Sequence, residues 1–393
     1  MTPTAVGDGN SRARARWLLW ALGTAVFMVN LDSRVIAPLL PTLADELGVS
    51  LARSAWLVSG YLLPYGLCQV LFGPLADRYG KINVCSHAMA AFSVGTACTA
   101  LWPSFEAILV MRVLTGATAA GLIPLTLAYI GDTVPYERRQ ATLGAVMAAG
   151  GAAQALSTGL GGSIAAVFSW RAVFPCLGVL ALVTTLGVYV LGRHERQRPT
   201  FSGPRPSYRA VLAAPGFRPL LALVASEGFL FTGGFSYLSG LLEARFGLNA
   251  LGIGLVLSLT GVTQLATAAL LSRILRRTSE RRLLAVGGGL LGAAYLSCAA
   301  APHPALVTCA CGLLGCGFVL CHTTLQTRAT EAFPGGRGTA IALFAFSLFL
   351  GSGTGTALLG VALERVGFTP LYVLVGASLW VFTLITVRVV GQP

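Results

Sequence analysis

Three observations predict an all-α membrane protein with twelve transmembrane helices in two pseudo-symmetric six-helix bundles. The 393 residues are 55% hydrophobic and only 10% charged, with a mean hydropathy of +0.76, a composition that soluble domains of this size do not show. Apolar runs of about 20 residues, the length that crosses a bilayer, recur along the chain, and their continuity differs from the alternating pattern of an outer-membrane barrel. An offset of 199 residues also aligns the two halves without gaps at several places: Asp132-x-x-Pro135-x-x-Arg138 falls on Glu331-x-x-Pro334-x-x-Arg337, and Gly116 falls on Gly315.

The first span is expected at about Trp17 to Leu40, interrupted by Asn30, Asp32 and Arg34, with Asp45, Glu46 and Arg53 in the polar segment after it. Arg12, Arg14 and Arg16 imitate the charged start of a signal peptide, but the apolar run is long and lacks a small-residue cleavage site, so it reads as a retained span. The second span, about Ala55 to Leu75, leads into a turn over Gly73 to Lys81. The third, about Val84 to Leu101, ends at Trp102-Pro103. The fourth, Phe105 to Ile130, carries Arg112 deep in its apolar run, and the fifth, Ala141 to Val167, is rich in Gly and Ala, which lets helices approach closely in lipid. The sixth is expected at Arg171 to Leu191.

Residues 193–218 contain six arginines and four prolines and read as a cytoplasmic linker between bundles 1–192 and 219–393. The seventh span, Leu220 to Leu242, holds Glu227. The eighth, Leu251 to Leu271, precedes a basic stretch. The ninth and tenth, Leu283 to Ala301 and Ala305 to Gln326, are joined by Pro302-His303-Pro304, and the last two occupy Thr339 to Leu363 and Leu371 to Val390.

Charge orients this arrangement. On the predicted topology 21 of the 27 Lys and Arg residues fall on one side and four on the other, the bias of cytoplasmic loops, which predicts a plasma (inner) membrane protein with both chain ends cytoplasmic. The net charge of +13 is thereby explained without nucleic acid, for which no basic domain with interleaved aromatics exists. The nine cysteines, five of them in the ninth and tenth spans, lack the spacing of a metal site, so they read as small packing residues. Gly287-x-Gly289-x-x-Gly292 fits a dinucleotide fingerprint by letter but opens a membrane span with no strand before it. No phosphate-binding loop and no nucleophile with a paired base are found. Neither cofactor, metal nor enzymatic activity is expected.

Gly73-Pro74-Leu75-Ala76-Asp77-Arg78-Tyr79-Gly80-Lys81 closely resembles the signature loop between helices 2 and 3 of the major facilitator superfamily of secondary transporters, departing from it at Ile82, where a second base is usual. Leu31-Asp32 with Pro41 is similar to a helix 1 pattern of that family's drug:proton antiporters, with Arg34 standing where a small hydroxyl residue is common. Arg112-x-x-x-Gly116 resembles the helix 4 motif in which the arginine takes part in proton transfer. The glycines of the fifth span resemble the exporter motif in part, Ser157-Thr158 replacing its Gly-Pro, and close packing alone also explains them.

The resemblance implies a monomeric, proton-coupled carrier that exports a small amphipathic compound by alternating access. An uptake or efflux carrier for a sugar, organic acid or other metabolite is the alternative. Proton coupling is expected at Asp32, Arg112 and Glu227, because ionisable groups within spans are costly and face a cavity or a partner; an ion pair that simply locks helices together is the competing reading. Asp32 and Arg34, two residues apart, point to different faces and are not expected to pair. Gly73, Asp77, Arg78, Gly80 and Lys81 would form the gating loop. Asn30, Arg34, Gln154, Phe235, Tyr237, Gln264, His322 and Gln326 would line the substrate cavity, with Tyr61 and Tyr65 adding apolar wall.

Overall fold

A bilayer interior offers no water to backbone N–H and C=O groups, so a chain this apolar must satisfy them within each span. The computed structural model describes residues 6–193, 208–276, 278–333 and 337–390; among them all regular structure is helical. Among the described residues twelve spans are long and apolar enough to cross a membrane: α1 (Ala13–Leu47), α2 (Leu51–Tyr79), α3 (Lys81–Leu101), α4 (Phe105–Thr133), α5 (Glu137–Val167), α6 (Trp170–Gly192), α7 (Phe217–Phe246), α8 (Ala250–Leu275), α9 (Glu280–Ala299), α10 (Pro304–Glu331), α11 (Gly338–Val366) and α12 (Phe368–Val389). Most of the linker expected at 193–218 falls on residues outside those described, as does Pro334 of the repeat.

Four spans are interrupted, α2 among them, at Ala55 between Ser54 and Trp56. In α1 the helix ends at Val35 and passes through a short 3-10 turn, Ala37–Leu39, before Leu40–Leu47; Pro38 and Pro41 sit at the starts of these pieces, where a missing N–H matters least. Gly48, at φ 62°, closes the last piece with its N–H on Ala44 and Asp45 carbonyls. In α4 the break falls between Ala119 and Leu122, where a Cβ on Gly121 would collide with the Phe72 ring. In α7 it falls at Tyr237.

The stretch expected to form a tight turn over Gly73 to Lys81 is instead helical as far as Tyr79, despite Pro74 within it. Helix formers Leu75, Ala76 and Arg78 carry α2 on to its end, and Gly80 alone, at φ 85°, makes the connection before α3 starts at Lys81.

Helix pairing repeats six spans on. The pairs α1–α5, α2–α4 and α3–α6 recur as α7–α11, α8–α10 and α9–α12. The repeat reaches single contacts: a Cβ on Gly116 would meet the carbonyl of Tyr61, and a Cβ on Gly315 the carbonyl of Thr260, each 199 residues on. The first six spans meet the last six along two seams, α2 with α11 and α5 with α8. Glycines make both. Gly66 lies against Phe349 and the Phe346 carbonyl, and Gly353 against Leu63; Gly162 abuts the Ala250 carbonyl, Gly254 the Thr158 carbonyl and Gly261 the backbone of Ala155. Large apolar side chains such as Val183, Leu186, Val381 and Leu384 face outward, as lipid contact requires.

Candidate functional site

Between the seams lies a cavity of about 640 Å³ lined by residues of α1, α2, α4, α5, α7, α8, α10 and α11, within the size range of small-molecule sites. Its lining is exposed at one end, at Gly144, Met147, Leu265, Ala269 and Ile341, and buried at the other, at Ile36, Ala37, Val58, Phe235 and Ser236. The cavity is therefore open toward the end that holds the Gly80 connection and closed toward the opposite end. Ser50, donating to Glu364, ties the two halves together there.

Rings dominate the wall. Phe231 stacks on Phe318 at 4.3 Å between centroids and on Phe235 at 6.2 Å. Phe318 continues the stack onto His322 at 4.7 Å, and Tyr65 packs against Phe349 at 4.5 Å. The guanidinium of Arg34 stands over Phe231 and Phe235 at 5.6 and 5.5 Å and has no ion pair among the described residues. Asn30, Gln154, Gln264 and Gln326 also reach the cavity. The Asn30 side-chain amide donates to the Val26 carbonyl and accepts from Gln154 at 2.9 Å. The Nε2 of Gln264, a residue 8% exposed, has no partner among the described residues.

Tyr237, expected on this wall, is not part of it. It is fully buried at the break in α7, and its hydroxyl donates to the Thr356 carbonyl on α11. Two helical positions beyond Phe235, it faces away from the wall that Phe235 joins.

Both carboxylates predicted within spans are buried, in different settings. Asp32 Oδ2 accepts from Arg112 Nη1 at 2.9 Å, with the two side chains 1% and 0% exposed, and it is not among the cavity-lining residues. Arg112 also donates through Nε to the Leu57 carbonyl at 3.3 Å and lies over the Tyr61 ring at 4.3 Å. Tyr61 does line the cavity, so its ring stands between the cavity and the pair. Asp32 Oδ1, Arg112 Nη2 and the Tyr61 hydroxyl have no partners among the described residues. A half-satisfied buried ion pair recovers little of its desolvation cost.

Glu227 is also fully buried, but its Oε2 lies 3.0 Å from Nδ1 of His322, which lines the cavity. His322 is held between Phe318 and Phe344, at 4.7 and 5.1 Å. This pair has a titratable member on the cavity wall. The Asp32–Arg112 pair does not.

Of the expected gating residues, Asp77 and Arg78 lie in the last turn of α2, and Arg78 stands over the Tyr79 ring. Lys81, 6% exposed, bonds Asp132 and the Ala128 carbonyl, fastening the start of α3 to the end of α4. Gly73 and Gly80 bracket the last two turns of α2. The aromatic contributions of Phe318, Phe344 and Phe349 escape sequence reasoning, since a phenylalanine in an apolar run looks the same on a cavity wall as on a lipid face. Among the described residues no three His, Cys, Asp or Glu side chains gather as a metal site.

Residues 22–356 match the family described as Major Facilitator Superfamily. The uncharacterized MFS-type transporter YceJ of Bacillus subtilis (strain 168) is 28% identical over 381 residues, covering 92% of this chain and 95% of that protein. The tetracenomycin C resistance and export protein of Streptomyces glaucescens is 33% identical over 193 residues, which are 48% of this chain and 36% of that protein. Among solved structures, a bacterial homolog of the human lysosomal transporter Spinster, in an inward-facing and unoccupied conformation, superposes with a TM-score of 0.76 at 17% identity, covering 96% of both chains.

Proposed function

Because the chain belongs to the Major Facilitator Superfamily, and is thus a multi-pass membrane transporter, we propose that it exports a small amphipathic compound in exchange for protons, residues 1–192 and 219–393 rocking about the cavity between them. The observation that carries the reading is the pairing of one drug-sized, aromatic-walled cavity with a titratable Glu227–His322 contact on its wall. The charge bias supports placing the open end of the cavity and both chain ends on the cytoplasmic side, so that an exported cargo would be loaded from within in the state described.

Cargo leaves on one stroke and a proton enters on the other. Glu227 and His322 are the proton port in the open state, since His322 reaches the cavity. Asp32 and Arg112 act as a conformational lock: the guanidinium holds the carboxylate here, and the opposite state separates them so that Asp32 can exchange a proton. Asp77, at the end of α2, would hold the opposite state by bonding across the inner surface. Alternating access then needs only a change in which end of the two seams is closed.

The test is uptake of a compound panel into inverted membrane vesicles with a pH-sensitive dye inside. Wild type is expected to accumulate a substrate under an imposed proton gradient and to lose that accumulation when a protonophore is added. Glu227→Gln is expected to bind the same substrate with gradient-driven accumulation reduced at least tenfold. Accumulation indifferent to the protonophore would exclude proton coupling.

A further inference from the structure

The cavity wall carries the basic side chains Arg34 and His322 and, among the described residues, no acidic one. Arg34 brings a fixed positive charge with no acidic partner among the described residues, and it is held between the cavity and the ring faces of Phe231 and Phe235. Gln264 adds an amide nitrogen without a partner among the described residues. The buried acids stand off the wall: Asp32 Oδ2 is on Arg112 and Glu227 Oε2 on His322, and their second oxygens, unpartnered among the described residues, belong to residues that do not line the cavity. On the same helix the Asn30 amide is held by Val26 and Gln154, and the Ser33 hydroxyl donates to the Asn30 carbonyl.

When the cavity closes and dries, an uncompensated guanidinium is costly, and a cargo bearing the opposite charge removes that cost. An oxyanion also matches the fork of donors that arginine presents. Beside Arg34 the rings of Phe231, Phe235 and Phe318 supply an apolar, aromatic stretch of wall.

Resting on the export reading above, we propose that the cargo is an amphipathic organic anion, its carboxylate, sulfonate or phosphate head seated on Arg34 with Gln264 as a further donor, and its ring-bearing body laid against Phe231, Phe235 and Phe318. Cationic amphiphiles of the same shape are rejected, because Arg34 repels them and no free carboxylate on the wall receives them.

The experiment uses the full chain purified in detergent and two probes that share one ring system, 1-naphthalenesulfonate and trimethyl-(1-naphthyl)ammonium, with binding measured by calorimetry. The sulfonate is expected to bind at least tenfold more tightly than the ammonium. Arg34→Gln is expected to lose at least tenfold in sulfonate affinity, while Arg34→Lys keeps the preference for the anion with weaker binding. Should Arg34→Gln fail to fold, Gln264→Leu, with a several-fold loss for the sulfonate alone, provides the second reading. Equal or tighter binding of the ammonium, or sulfonate binding unchanged in Arg34→Gln, would overturn the proposal. Inverted vesicles separate it from its premise. Charge-selective binding without gradient-driven uptake removes export and leaves the anion seat. Gradient-driven uptake of the ammonium probe, unaltered by Arg34→Gln, removes the anion seat and leaves export.

Discussion

Asp32 and Glu227 are both carboxylates sunk in apolar spans, yet their partners give them different consequences on mutation. Asp32→Asn strands Arg112 as an unpaired charge in a site that is 0% exposed; such a change typically destabilises by about 3 kcal/mol. A lowered unfolding temperature of purified Asp32→Asn is therefore expected, with partial recovery in Asp32→Asn/Arg112→Gln. Full stability of the single variant would mean that the guanidinium has another partner. A loss of transport in Asp32→Asn must be read against this loss of stability, whereas glutamine at 227 can keep a hydrogen bond to His322. All four residues are visible in the sequence as polar points in apolar runs. Their pairing is not, because the partners lie 80 and 95 residues apart, and helical periodicity specifies a face without specifying the neighbour across from it.

Spans were legible as elements because length and hydropathy mark them directly, and their interruptions less so. The break in α7 took Tyr237 off the cavity wall, and the signature stretch read as a loop because two glycines and a proline outweighed the helix formers between them; in a membrane protein neighbouring helices re-satisfy a proline's lost bond. The glycines of α5 have a concrete role in the seam with α8. A Cβ on Gly254 would lie 2.6 Å from the Thr158 carbonyl oxygen and 3.1 Å from Gly162 Cα, so Gly254→Val cannot keep this seam as it is. Overpacking of this kind costs about 2 kcal/mol, all of it charged to the state in which the seam is closed. The variant is expected to favour the opposite state, seen as slower labelling of a cysteine placed at the open end of the cavity. Labelling at the wild-type rate would mean that the seam yields without opening.

At the scale of the molecule, the bias of the bases predicts which way the cavity faces, and Met147→Cys tests it. Met147 is 51% exposed and lines the open end. With exposed Cys176 and Cys309 changed to serine, a membrane-impermeant maleimide is expected to label Met147→Cys in inverted vesicles and not in right-side-out ones; the reverse pattern would invert the topology. The pseudo-symmetry was legible through the 199-residue offset, but the aromatic wall was not, since its rings come from α7, α10 and α11 and meet only once the second half is folded. The two seams rest on glycine backbone, while the wall between them is built from bulky rings. Phe349, packed against Gly66, belongs to both; the other rings stand apart from the pivot, so libraries randomised at Phe231, Phe235, Phe318 and Phe344 should yield carriers with altered selectivity whose stroke is intact, which makes this scaffold suited to directed evolution.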